Sequence, residues 1–131
     1  MIQSLAGEIG SLLKSQKLTL GAVESATGGL ISHLITNVSG SSDYFQGSIT
    51  SYSNEIKVKL IGVKTETLKK HGAVSAQVAR EMARGGRNVL NTDICIADTG
   101  IDEEMQHLQD KFIVIFDFFL VIRYDIIIAD P

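Results

Sequence analysis

Apolar residues at Ile2, Leu5, Ile9, Leu12 and Leu13 recur at helical spacing between serine, glutamate, glutamine and lysine, so residues 1–17 read as an amphipathic helix. The period then changes. Residues 18–23 form the short apolar run of an interior strand, and residues 24–29 a tight turn. The helix predicted over 30–38 buries Leu30, Ile31, Leu34 and Ile35. Residues 39–43 are a turn cluster, and 44–53 read as extended, with Phe45, Ile49 and Tyr52 as the larger side chains.

Ser53 is placed to cap a helix over 54–61 that turns Ile56, Leu60 and Ile61 inward and stops at Gly62. A short helix follows from a Thr65 cap to His71, with Gly72 as its stop, and Ser75 opens a longer one through Val78, Ala79, Met82 and Leu90. Gly85 and Gly86 inside it weaken a helix by roughly 1 kcal/mol each relative to alanine, which predicts close packing against another backbone. Residues 94–97 return to strand. Residues 102–111 are polar and fit a short helix or an exposed loop, whereas 112–122 and 124–129 are rich in β-branched and aromatic residues and read as neighbouring strands. Strands alternate with amphipathic helices through Ala97 and then crowd the end. The pattern predicts an α/β fold, a three-layer α/β/α sandwich around a mixed sheet.

A chain of 131 residues is expected to form a single domain over 1–131, burying roughly 68% of its unfolded surface without staples. One cysteine, Cys95, forms no internal disulfide, and His33, His71 and His107 are scattered, so no metal site is expected. The net charge of −3 comes from mixed signs, which argues against a nucleic-acid partner. Residues 1–17 lack the pattern of a signal peptide, and 112–122 are about half of the roughly 20 residues that a spanning helix needs. A cytoplasmic location without membrane contact is expected.

The chemistry concentrates where the first strand turns into a helix. Ser25 sits in that bend, beside the backbone N–H groups of Ala26, Thr27, Gly28 and Gly29, which suit an oxyanion or a phosphate. Tyr52 and Lys57 offer a phenol and an amine, and a serine with such partners suffices for acyl transfer. Asp98, Thr99 and Gly100 sit just past a strand end, where open α/β sheets build ligand sites; Thr99 and Gly100 are candidates for substrate contact, and Ser41 and Ser42 weaker ones. Taken singly, each has a plainer reading: Ser25 or Thr27 as a helix cap, Lys57 as a solvated helix lysine, Tyr52 as a half-buried strand residue, Thr99-Gly100 as a turn. Glu24 fits equally an orienting group of the site or one half of an ordinary ion pair.

Together these residues give the chain a resemblance to the C-terminal domain of the CinA family, the competence and damage-inducible proteins. The match rests on Ala22-Val23-Glu24-Ser25-Ala26-Thr27-Gly28-Gly29, Gly40-Ser41-Ser42 with Tyr44-Phe45, and Tyr52-Ser53-Asn54-Glu55-Ile56-Lys57 running into Leu60-Ile61-Gly62-Val63. It continues with His71-Gly72-Ala73-Val74-Ser75, Val78-Ala79-Arg80-Glu81-Met82-Ala83 and Thr99-Gly100-Ile101. The resemblance implies a metal-free nicotinamide-nucleotide amidohydrolase that deamidates nicotinamide mononucleotide without a cofactor. Its nucleophilic serine falls on Ser25, its tyrosine on Tyr52 and its lysine on Lys57.

After Ile101 the resemblance stops, so 102–131 form a divergent segment. Asp102-Glu103-Glu104-Met105 stands where the family continues with Ala-Gly-Pro and a glycine-rich loop, and its Lys-Pro-Val-Gly element has no counterpart. Two other roles stay open beside the enzyme. One is a nucleotide-binding module with a phosphate on the Ser25 turn; the other is a catalytically degraded structural member that works through oligomer contacts of its apolar end. A homo-oligomer with a small-molecule nucleotide substrate is expected.

Overall fold

The computed structural model describes residues 2–100, 113–118 and 126–129 of the chain. The expectations for 102–111, His107 among them, lie outside the described residues. Among the described residues five strands form one sheet: β1 (Leu20–Glu24), β2 (Phe45–Thr50), β3 (Ile94–Thr99), β4 (Ile113–Phe118) and β5 (Ile126–Ala129). Their order is β2-β1-β3-β4-β5, with β1 parallel to both neighbours and β4 and β5 antiparallel. The sheet is therefore mixed, as the sequence predicts.

The helices are α1 (Ile2–Gln16), α2 (Leu30–Thr36), α3 (Asn54–Ile56), α4 (Thr65–His71) and α5 (Ala76–Leu90). Strands β1 and β3 are buried along their whole length, because helices cover both faces of the sheet. Side chains alternate between the faces. Leu20, Ile94 and Ile96 pack with Leu13 of α1, Ile35 of α2 and Tyr44, while Val23, Cys95 and Ala97 pack with Val78, Ala79, Met82 and Ala83 of α5. Three layers result.

The glycine pair in α5 marks the tightest packing. A Cβ on Gly85 would lie 1.9 Å from the carbonyl oxygen of Ile61, and one on Gly86 would lie 2.2 Å from Val23 Cγ2. Gly85 is thus set against backbone, as expected, and Gly86 against side chains of the sheet.

One predicted helix differs in kind. Ser53 caps it through a hydrogen bond from the Ile56 amide, but only Asn54–Ile56 is α-helical, and Lys57–Ile61 form a π turn. Gly62 ends that turn at φ 80°, where its N–H reaches the carbonyls of both Lys57 and Val58. This wider turn leaves both Lys57 and Ile61 buried.

Strand order fixes where a site can form. The chain leaves β1 toward β2 on one side, while β3 lies on the other, so the carboxyl ends of β1 and β3 part at a topological switch point. Glu24, Ser25, Asp98 and Thr99 stand there.

Candidate active site

Ser25 follows the last residue of β1 and is buried. The turn after it uses glycine for its backbone: φ is 61° at Gly28 and 109° at Gly29, values that side chains rarely tolerate. Among the described residues nothing lies within 4 Å of where a Cβ would stand on either glycine.

Lys57 is only 2% exposed. Its Nζ lies 3.0 Å from Ser25 Oγ, 2.8 Å from the Ser51 carbonyl oxygen and 2.9 Å from the Tyr52 carbonyl oxygen. Carbonyls only accept. A neutral amine here gives its two N–H groups to them and turns its lone pair to the serine hydroxyl. Burial pushes the Lys57 amine below its ordinary pKa, against the opposing pull of the Asp98 charge. A lysine so placed is suited to act as a base.

Two buried carboxylates hold the turn. Glu24 accepts from the Ile31 amide at 2.8 Å, the Ser32 amide at 3.1 Å, the Ser32 hydroxyl and Thr27 Oγ1 at 2.7 Å. Burial alone would raise its pKa, but the hydrogen bonds from Ser32, Thr27 and the Ile31 and Ser32 amides outweigh it and hold it below the usual value. Asp98 accepts from the Ser25 and Thr27 amides at 3.3 Å, with Thr27 Oγ1 at 2.6 Å. Burial raises its pKa, the bonds from Thr27 and Ser25 oppose that, the charge on Glu24 adds to it, and the net direction is upward.

These bonds narrow the oxyanion donors. Thr27 N–H is held by Asp98 and Gly28 N–H by the Ser25 carbonyl, whereas the amides of Ala26 and Gly29 find no acceptor among the described residues. The carboxyl groups of Glu24 and Asp98 also take the amides of Ser25, Ile31 and Ser32 on either side of these four residues.

The other candidate residues take separate places. The Tyr52 side chain is 54% exposed, and its carbonyl meets Lys57; its phenol has no hydrogen bond to Ser25 or Lys57. Thr99 is buried, with its hydroxyl donating to the Ala73 carbonyl at 2.8 Å, which ties β3 to the loop before α5, and half-buried Gly100 follows it. Ser41 and Ser42 begin a 3-10 turn at the amino end of β2, which starts beside Leu20. Five residues of β1 put about 16 Å between that end and Ser25, so within one chain these serines do not reach the site.

Sequence reasoning gave no role to Asp98 and left Glu24 open. The signal was period two: Leu20, Ala22 and Glu24 share one face of β1, and Ile94, Ile96 and Asp98 share the same face of β3. Among the described residues no cluster of metal-ligating side chains occurs, and no helix is long and apolar enough to cross a membrane.

Fold and site together define an α/β domain with a serine and a lysine paired at the switch point of a mixed sheet. The chain belongs to the CinA C-terminal domain family, whose profile matches residues 2–113. It is 48% identical over 109 residues to a CinA-like protein of Shewanella pealeana, covering 83% of this chain and 26% of that protein. With a CinA-like protein of Thermotoga neapolitana it shares 50% identity over 90 residues, 69% of this chain and 22% of that one. The chain thus spans about a quarter of the length of these curated relatives. The crystal structure of competence/damage inducible protein CihA from Agrobacterium tumefaciens superposes with a TM-score of 0.87 at 29% identity, over 99% of this chain and 81% of that one.

Proposed function

We propose that the protein is a nicotinamide-nucleotide amidohydrolase, converting nicotinamide mononucleotide and water to nicotinic acid mononucleotide and ammonia. The observation that carries this reading is the 3.0 Å approach of Lys57 Nζ to Ser25 Oγ inside a buried site. The substrate class is what the resemblance of the Ser25, Tyr52 and Lys57 motifs to the family implies.

Ser25 Oγ attacks the carboxamide carbon as Lys57 takes its proton directly. The tetrahedral oxyanion is held by the amides of Ala26 and Gly29, an effect worth roughly 3 to 4 kcal/mol per donor in known enzymes. Lys57 returns the proton to the leaving nitrogen, ammonia departs, and water hydrolyses the acyl-enzyme with the same amine as base.

Incubation with nicotinamide mononucleotide tests this, with ammonia and nicotinic acid mononucleotide measured for the wild type and for Ser25→Ala. Release that depends on Ser25 is expected. Binding without release would instead favour a nucleotide-binding module, and neither would favour a structural member of the family.

A further inference from the structure

Thr27 Oγ1 lies between two acids. It is 2.7 Å from Glu24 Oε1 and 2.6 Å from Asp98 Oδ2, and both side chains are fully buried. A hydroxyl carries one proton and can donate to only one of them. If both acids were ionised, the second oxygen would face a threonine lone pair at hydrogen-bond distance, a repulsive contact at a fully buried acid. The geometry requires one more proton.

Counting donors shows which acid holds it. Glu24 receives the two amides of Ile31 and Ser32 and the Ser32 hydroxyl besides Thr27, so its lone pairs are all called upon to accept. Among the described residues Asp98 receives, besides Thr27 Oγ1, only the longer amide contacts: Thr27 N–H lies 3.3 Å from Oδ1, and Ser25 N–H lies 3.3 Å from both Oδ1 and Oδ2. Oδ1 can accept both amides, which leaves Oδ2 to carry hydrogen.

We propose that Asp98 rests as a neutral acid, its Oδ2–H donating to Thr27 Oγ1 while Thr27 Oγ1–H donates to an ionised Glu24. Asp98 is thereby a positioning residue: it ties the Ser25 turn to β3 through Oδ1 and leaves Lys57 with no counter-ion. The opposite directions in which burial and hydrogen bonding drive the two acids agree with this assignment. Among the described residues, Glu24 and Lys57 are the ionisable groups around Asp98, and Asp98 is the one charge that acts on Lys57. With Asp98 neutral, burial of Lys57 is unopposed and its lone pair stays available to Ser25. That consequence rests on the reading of Ser25 and Lys57 as nucleophile and base; the proton on Asp98 does not.

The test is made on the resting full-length chain without substrate. With aspartate labelled at the side-chain carboxyl carbon and Asp98 assigned through bonds in the wild type, its carbon-13 signal at neutral pH is expected at the carboxylic-acid position. In Asp98→Asn, whose amide reproduces the hydrogen bonds of the neutral acid, the titration midpoint of Lys57 read from its labelled ε-carbon is expected to stay in place. A carboxylate signal for Asp98 at neutral pH overturns the proposal, and so does a fall of the Lys57 midpoint by about one pH unit, tenfold in its proton affinity. Because neither measurement needs turnover, a protein that leaves nicotinamide mononucleotide intact yet shows the neutral acid would refute the proposed function alone.

Discussion

Lys57 Nζ stands 3.0 Å from Ser25 Oγ although 32 residues separate the two in sequence. The contact brings the π turn after β2 onto the bend after β1, and it sets the first prediction. Ser25→Ala is expected to abolish amide hydrolysis, and Lys57→Met to lower kcat by roughly 10²- to 10⁴-fold, the range for loss of a general base. Circular dichroism of both variants is expected to match the wild type. Turnover of Ser25→Ala at the wild-type rate would remove the serine mechanism.

The pH dependence follows from the same amine. In the proposed mechanism the base form of Lys57 is the active one; as burial lowers its pKa, activity is expected to rise with pH along a limb lying below the ordinary lysine value of about 10.4. Linkage gives a matching sign for stability. Between the depressed folded pKa and the unfolded one, the unfolded state binds more protons, so the penalty of burying this lysine diminishes as pH rises. Asp98, raised in the fold, acts oppositely: its contribution is complete below the unfolded pKa and lost as pH climbs through the folded value. A pH–rate profile and urea titrations across pH check both.

Tyr52 separates direct proton transfer from a relay. With its phenol turned outward and only its carbonyl on Lys57, Tyr52→Phe is expected to cost much less activity than Lys57→Met. Equal losses in the two variants would restore the phenol to the proton path.

Gly85 is the packing test. An alanine there would place its Cβ 1.9 Å from the Ile61 carbonyl oxygen, so α5 and the π turn that carries Lys57 must move apart. The expected cost is about 1 to 3 kcal/mol in the urea midpoint, with a loss of activity greater than stability alone explains. Full activity in a stable Gly85→Ala protein would show that the Lys57 turn does not depend on this contact.

Thr99 distinguishes a bridge from a substrate contact. Thr99→Val removes the 2.8 Å bond to the Ala73 carbonyl and is expected to destabilise by about 1 to 3 kcal/mol while KM stays near the wild-type value. A large rise in KM with unchanged stability would return Thr99 to the substrate.

Much of the fold was legible because its signals are short-ranged. The helical period of residues 2–16, the Ser75 cap and the glycines after residues 61 and 71 are local statements about which backbone conformation each residue tolerates. The π turn was not legible: Asn54 to Ile61 has an ordinary helical pattern, and the widening is seen where Gly62 and the face of α5 meet it. Ser25 was legible as a candidate because the strand, the turn and the paired glycines adjoin it.

By itself the sequence determined the elements, the layered α/β class and a serine held in a bend. Tertiary structure decided which groups that serine meets. Strand order places β3 beside β1, so Asp98 takes the turn's amides and Thr27 lies between two acids, while Thr99 is drawn to Ala73 and Ser41 and Ser42 fall at the far end of the sheet. Hydrophobic period and capping extend only over one turn or one strand, whereas hydrogen bonds between residues 25, 57 and 98 exist only once the sheet has closed around them.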